Sequence, residues 1–189
     1  MENDQSSKEF HVRSLLRLLG HDVDREGLTD TPRRVVKFLS EFTQPEKPPF
    51  EFTMFDGEGA NEMVVQTGIP LVSLCEHHLA PFTGYATVGY IPGKRIVGLS
   101  KLARSVEYFA RRLQNQERVT RQVAQFLQER LEPVGVGVIV VAEHSCMTVR
   151  GVRAHGAMTT TSCLLGAFKE GVTRSEFLGF HHASRPGPK

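Results

Sequence analysis

The strongest constraint on this chain is a pair of short segments about seventy residues apart, Cys75-Glu76-His77-His78 and His144-Ser145-Cys146. A Cys and a His three positions apart, plus one distant Cys, offer three soft or borderline ligands. That set suits Zn²⁺, and Fe²⁺ can occupy similar sites. If Cys75, His78 and Cys146 share one ion, the fold has to carry residue 75 to residue 146. Three ligands are one short of a closed structural site, and an open fourth position is what hydrolytic metal chemistry needs. His77 and His144 are then surplus beside the metal and read as proton-transfer groups.

The bulk properties leave room for this and exclude other classes. At 189 residues, 40% apolar and 23% charged, the chain reads as a soluble globular protein with one sizeable core. A net charge of +2 gives no basic field that calls for nucleic acid. The polar start MENDQSSKEF has no apolar core of a signal peptide, and the longest apolar run, Val134 to Ala142, is too short to span a bilayer. Three cysteines cannot all pair, which favours metal or catalytic use in a reducing, cytoplasmic compartment. No membrane partner is expected.

Periodicity divides the chain into a disordered stretch 1–7, a helical region and loop 8–62, a catalytic domain 63–180 and a flexible tail 181–189. Phe10, Leu15, Leu18 and Leu19 form a helical stripe that Gly20 ends. Asp30-Thr31-Pro32 starts a second helix, with Thr31 as cap and Val35, Val36, Leu39 and Phe42 inward. Pro45, Pro48, Pro49 and the run Asp56 to Gly59 read as a long loop. Strands are expected over 63–67 and 85–91. Helices follow over 101–114, capped by Ser100, and over 117–131. Two more strands are expected over 136–141 and 146–152, then a helix from about Thr161. This order predicts an α+β fold with an antiparallel sheet and helices on one face.

On a strand over 146–152, alternation would set His144, Cys146, Thr148 and Arg150 on one face, a poor core but a good wall for an anion pocket. Gly98-Leu99-Ser100-Lys101, with Arg104 one turn on, combines a helix N-terminus with two cations and reads as a phosphate site. Cys163, among Leu164, Leu165 and Phe168, reads as core, and His181-His182 as an exposed pair. Gln116-Glu117 lies between two helices and by itself says only surface or cap.

Taken in order, these segments resemble the GTP cyclohydrolase I family from about residue 8 to residue 180. The resemblance is carried by Asp24 to Leu28 with Asp30-Thr31-Pro32 and Arg34-Val35, and by Ser73 to His78 with Pro81-Phe82. It continues through Gly98 to Arg104, Gln116-Glu117-Arg118, His144-Ser145-Cys146, Arg150-Gly151-Val152, and Thr159 to Ser162 before Gly166. It implies the tunnelling fold, a homodecamer of two pentamers, and hydrolysis of GTP to 7,8-dihydroneopterin triphosphate and formate. It sets the zinc ligands at Cys75, His78 and Cys146, the acid–base histidines at His77 and His144, and the guanine contacts at Glu117 and Gln116. Triphosphate contacts fall on Ser100, Lys101, Arg104 and Arg150, and on Arg34 and Lys37, which can reach a neighbouring subunit's phosphates. The chain departs from the family over 153–158, where Ala157 stands at a position commonly Ser. The rival readings are another tunnelling-fold enzyme, a zinc-binding assembly or redox sensor without turnover, and a catalytically silent GTP- and zinc-binding regulator.

Overall fold

The run Gly135 to His144 is built from Gly, Val, Ile and Ala until its last two positions, and its first eight residues are buried. A strand without polar alternation has to be covered on both faces. The computed structural model, which describes residues 2–43 and 50–184, shows how. The chain divides into two compact units, Met1–Pro45 and Glu46–Lys189.

The first unit holds helix α1 (Glu2–Leu18), a 3-10 turn (Glu26–Leu28) and helix α2 (Thr31–Thr43). Residues 2–7, expected to be disordered, are the first turns of α1. The stripe on α1 and its end is open to solvent in the isolated chain, with Phe10 at 63% and Leu18 at 85% exposure. Helix α2 begins at Thr31, and the Arg34 amide donates to the Asp30 carbonyl at 3.1 Å. The flanking residue is therefore Asp30, and Thr31 is already inside the helix. The prolines expected in the following loop, Pro45, Pro48 and Pro49, lie outside the described residues.

The second unit runs β1 (Met54–Asp56), β2 (Val64–Cys75), β3 (Pro81–Ile91), β4 (Arg95–Val97), α3 (Leu99–Ala110), β5 (Leu113–Gln114), α4 (Gln116–Leu131), β6 (Gly135–His144), α5 (Ser145–Thr148), β7 (Met158–Gly166), a 3-10 turn (Ala167–Lys169) and α6 (Gly171–Ala183). Strands β1 and β4 pair with each other. The main sheet has the order β5-β2-β3-β6-β7, antiparallel throughout except for the short parallel pairing of β5 with β2. The α+β expectation holds, and two strand pairs separated by the helices α3 and α4 match the pattern implied by the resemblance.

Helices α3 and α4 cover one face. Leu102, Val106, Val123 and Leu127 pack with Val88, Val136, Val138 and Val140 in one cluster. Truncating a buried leucine such as Leu127 to Ala would cost about 2–5 kcal/mol, a large part of an ordinary domain's ~5–15 kcal/mol. Ile139 and Val141 point the other way and meet Phe168 and Phe177 from the chain's last turn and helix. The helix layer expected on one face is thus joined by α6 on the opposite one. At Gly84 the strands approach so closely that a Cβ would lie 1.9 Å from the Val141 carbonyl oxygen, which only glycine avoids.

Five further local expectations are corrected. The helix over 101–114 stops at Ala110, because Leu113 and Gln114 extend to pair with Leu74 and Cys75. Its cap is the backbone of Gly98, with no bond from the Ser100 side chain. The strand over 146–152 does not exist: β6 ends at His144, and Ser145–Thr148 form one helical turn. The helix from Thr161 is strand β7, whose Thr-rich run favours extended backbone, and the last helix starts at Gly171. That helix also takes in His181, which is 2% exposed and sits with its Nδ1 2.9 Å from Thr87 Oγ1, so it is no part of an exposed pair or free tail. Residues 185–189 lie outside the described residues.

Candidate metal centre and active site

The sheet solves the distance problem posed by residues 75 and 146. Cys75 ends β2, and Phe82 at the start of β3 lies opposite His144 at the end of β6. Strand β5 brings Gln114 beside Cys75, and α4 starts two residues later. Five element ends therefore meet at one end of the sheet, and three of them, those of β2, β6 and α4, carry residues of the expected site.

Between β2 and β3 the chain reverses tightly. The Cys75 amide donates to the Ala80 carbonyl at 2.8 Å, and the Leu79 amide donates to the Cys75 carbonyl at 2.9 Å. Leu79 has φ +51°, a left-handed conformation that a branched side chain rarely adopts. The reversal is held from outside. Glu76 accepts from Arg118 Nη1 at 2.6 Å and Nη2 at 3.0 Å, and from Asn115 Nδ2 at 3.0 Å. The Arg118 guanidinium, then Asn115, hold the Glu76 carboxyl below the ordinary carboxylate range. Asn115 at the same time caps α4 by accepting from the Arg118 amide at 2.8 Å. The ligand turn and the helix start are one hydrogen-bonded body.

Cys75, His78 and Cys146 are brought together as expected, with one ligand atom from each inside 4.8 Å. Cys75 Sγ lies 3.7 Å from His78 Nδ1. Metal–ligand bonds of ~2.0–2.3 Å in a tetrahedral site put neighbouring ligands roughly 3.5 Å apart, so the donor set fits a metal ion. Burial, then the neighbouring Cys75 sulfur, push the Cys146 thiol up, while Arg150 pulls it down. Two sulfurs this close repel as thiolates, and a divalent cation between them reverses that cost. Cys146 reaches the group by the α5 turn rather than by strand alternation, so the shared strand face with Thr148 and Arg150 is replaced by a helical corner.

His77 is beside the metal set, its Nδ1 3.8 Å from Cys75 Sγ, with its ring turned to solvent. His144 stacks on the buried Phe82 ring, at 4.6 Å between centroids and 7° between planes. Burial pushes the His144 imidazole down from its ordinary value, and the charge of Glu117 pulls it back up. His144 Nε2 lies 2.8 Å from Gln116 Oε1. Glu117 is exposed in the first turn of α4. It lines a cleft of about 510 Å³ between α4 and β7, with Arg118, Arg121, Thr161, Ser162 and Cys163. Cys163 is thus half core and half cleft wall.

Ser100, Lys101 and Arg104 occupy the first turns of α3, and Lys101 and Arg104 make no ion pair among the described residues. Arg150 is exposed in the loop after α5. Arg34 and Lys37 belong to the first unit, on α2, where Arg34 reaches Asp30 at 3.3 Å. Gln116, expected to contact substrate, is buried at 1% exposure. Sequence reasoning missed the Glu76–Arg118–Asn115 clamp, the Phe82–His144 stack and the cleft residue Arg121. The only sequence signal among these was Asn115 as a helix cap.

Known proteins resemble this chain over most of its length. The family described as GTP cyclohydrolase I matches residues 8–182. The GTP cyclohydrolase 1 of Streptococcus suis (strain 05ZYH33) is 50% identical over 182 residues, covering 94% of this chain and 97% of its own. That of Aquifex aeolicus (strain VF5) is 48% identical over 180 residues, with 94% and 97% covered. That of Saccharomyces cerevisiae is 47% identical over 175 residues, with 88% and 70% covered. A chain that carries this ligand set and matches the family over nearly its whole length belongs to the GTP cyclohydrolase I family of enzymes.

Proposed function

We propose that this protein is a zinc-dependent GTP cyclohydrolase I that converts GTP and water to 7,8-dihydroneopterin triphosphate and formate, the entry step of tetrahydrofolate and pterin synthesis. The observation that supports it most is the meeting of Cys75, His78 and Cys146 with His144 and the Glu117 cleft at one end of the sheet.

Cys75, His78 and Cys146 would hold the ion. When bound, zinc supplies Lewis acidity that makes water a nucleophile at neutral pH. The chain's own residues do the rest. The Glu117 carboxylate accepts from the N1–H and 2-amino group of guanine, a two-donor edge that a carboxylate matches. Ser100, Lys101, Arg104 and Arg150 take the triphosphate, and Arg34 and Lys37 serve a neighbouring subunit's phosphates. Bound at both ends, the base is oriented toward the histidines.

Water adds at C8 while His77 or His144 protonates N7, and the imidazole ring opens. A second water releases C8 as formate. The ribose then opens and undergoes an Amadori rearrangement, and ring closure expels one water, so the net consumption is one water. The rearrangement needs repeated proton transfers, work for which an imidazole is suited.

We further propose a cytoplasmic homodecamer of two pentamers. It is supported by apolar residues left exposed on the single chain, among them Leu18 and Val172 at 85% each. Among the described residues no helix is long and apolar enough to cross a membrane.

The test is to incubate metal-analysed protein with GTP and follow formate together with the fluorescence of oxidised neopterin. Both signals are expected. Formate alone would place a defect after ring opening, in the departure around Ala157. GTP bound and returned unchanged would instead establish the silent regulator.

A further inference from the structure

The Gln116 side chain is almost wholly buried and fully engaged. Its Nε2 lies 3.0 Å from the Val140 carbonyl oxygen, 2.9 Å from that of Thr159 and 3.2 Å from Thr161 Oγ1. Backbone carbonyls only accept, so the NH₂ end must face them and the amide has one orientation. Its Oε1 then faces His144 Nε2 at 2.8 Å. An amide oxygen also only accepts, so the hydrogen in that bond belongs to the imidazole.

We infer that Gln116 locks neutral His144 in its Nε2–H tautomer, leaving Nδ1 as the atom presented for proton exchange with substrate. The inference rests on the proposed function in giving His144 that work. The resemblance sets Gln116 among the guanine contacts. Here it has no amide hydrogen left to offer and, at 1% exposure, no surface for a ligand. It is a positioning residue that acts through His144.

Two further features support the lock. The Phe82 ring, fully buried and parallel to the imidazole, fixes the plane in which His144 can lie. Among the described residues no hydrogen bond or ion pair involves His144 Nδ1, whereas Nε2 is held. The lock's anchors come from three elements, α4, β6 and β7, that form the fold's own core. His144 geometry is therefore set by the sheet and does not wait for substrate.

The direct test is neutron diffraction, or solid-state ¹⁵N NMR of histidine-labelled, zinc-loaded full-length protein, at a pH where the imidazole is neutral. A hydrogen on Nε2 with a bare Nδ1 is expected; a hydrogen on Nδ1 overturns the inference. Gln116→Leu tests the consequence. Its kcat should fall roughly 10- to 100-fold, less than the ~10²–10⁴-fold expected for loss of a whole acid–base group, with KM for GTP within about threefold of wild type. Raised KM with unchanged kcat would make Gln116 a substrate contact and overturn the inference. Gln116→Leu combined with His144→Ala should be no slower than His144→Ala alone. Should Gln116→Leu fail to assemble, the wild-type tautomer decides. Wild-type protein that holds the Nε2–H tautomer yet releases no formate from GTP would sink the proposed function, and with it the working role of Nδ1, while leaving the hydrogen-bond assignment in place.

Discussion

The two cysteines of the candidate metal centre sit on pieces of chain that are held very differently. Cys75 is 7% exposed, ends a 12-residue strand, and leads into a reversal clamped by Glu76, Arg118 and Asn115. Cys146 sits on a single helical turn, and the loop behind it is open. Val149 and Val152 are 73% and 74% exposed, and Gly151, Arg153 and Gly156 all take positive φ. Most of its amide partners are local, as in Ala154 to the Met147 carbonyl at 3.0 Å, and one bond, from the Gly156 amide to the Glu143 carboxylate at 3.1 Å, ties it to β6. The first half is held by the fold, and the second makes few bonds to it. A site divided in this way has a rigid base that fixes position and a looser arm that can adjust to substrate.

The largest break should come from the rigid half. Cys75→Ser is expected to lose bound metal and lower formate release at least about 100-fold, because a hydroxyl does not replace a thiolate on zinc. Metal analysis beside a formate assay checks it; an active, metal-free variant would contradict the assignment. Cys146→Ser should cost as much activity, yet leave the thermal midpoint nearer wild type than Cys75→Ser does, since its loop supports little else.

His144→Ala comes next. It should keep its metal and stall at a ring-opened or formylated intermediate, with product formation down by roughly 10²–10⁴-fold. Mass spectrometry of quenched reactions reads the intermediate; normal product yield would remove His144 from the mechanism.

Glu76→Met sharpens the comparison without touching a ligand. It frees the reversal from α4, and we expect metal affinity to fall by about 10-fold, as for other groups that orient ligands. The pH sign follows from the lowered Glu76 value. The carboxylate's contribution is complete at neutral pH and is lost only as pH falls through that lowered value. Wild type and Glu76→Met should therefore differ in melting temperature near pH 7 and converge in acid; a difference that grows in acid would contradict the clamp.

The smallest effect is expected from Ala157→Ser. Ala157 is exposed in the open loop, with its amide on the Ala154 carbonyl at 3.3 Å. Restoring the family's hydroxyl should leave metal content unchanged and alter kcat by less than about twofold, as for most exposed substitutions. A large gain would show that the open arm limits the rate.

The same contrast explains what could be read from sequence. The ligand set was legible because Cys75, His78 and Cys146 are rare residue types whose chemistry limits their use. Helix α4 was legible because Val119, Val123 and Leu127 keep one face buried. The 145–157 arm was not. Val149 and Val152 look like strand residues, but no sheet position exists for them beyond the His144–Phe82 pair. Strand β7 was read as helix because Leu164 and Leu165 suit either, and only pairing with β6 decides. Gln116 could not be assigned, since its partners are backbone carbonyls on strands that follow it in the chain. Such contacts are a property of the fold and carry no residue signature.

On the proposed function, one metal ion on Cys75, His78 and Cys146 makes this end of the sheet an active site. The most direct measurement is to strip the protein with a chelator and titrate zinc back while following formate release from GTP. Negligible turnover is expected in the stripped protein, with recovery that rises linearly to a plateau at one zinc per chain. Turnover that survives complete removal of metal, or recovery unrelated to the amount bound, would contradict it.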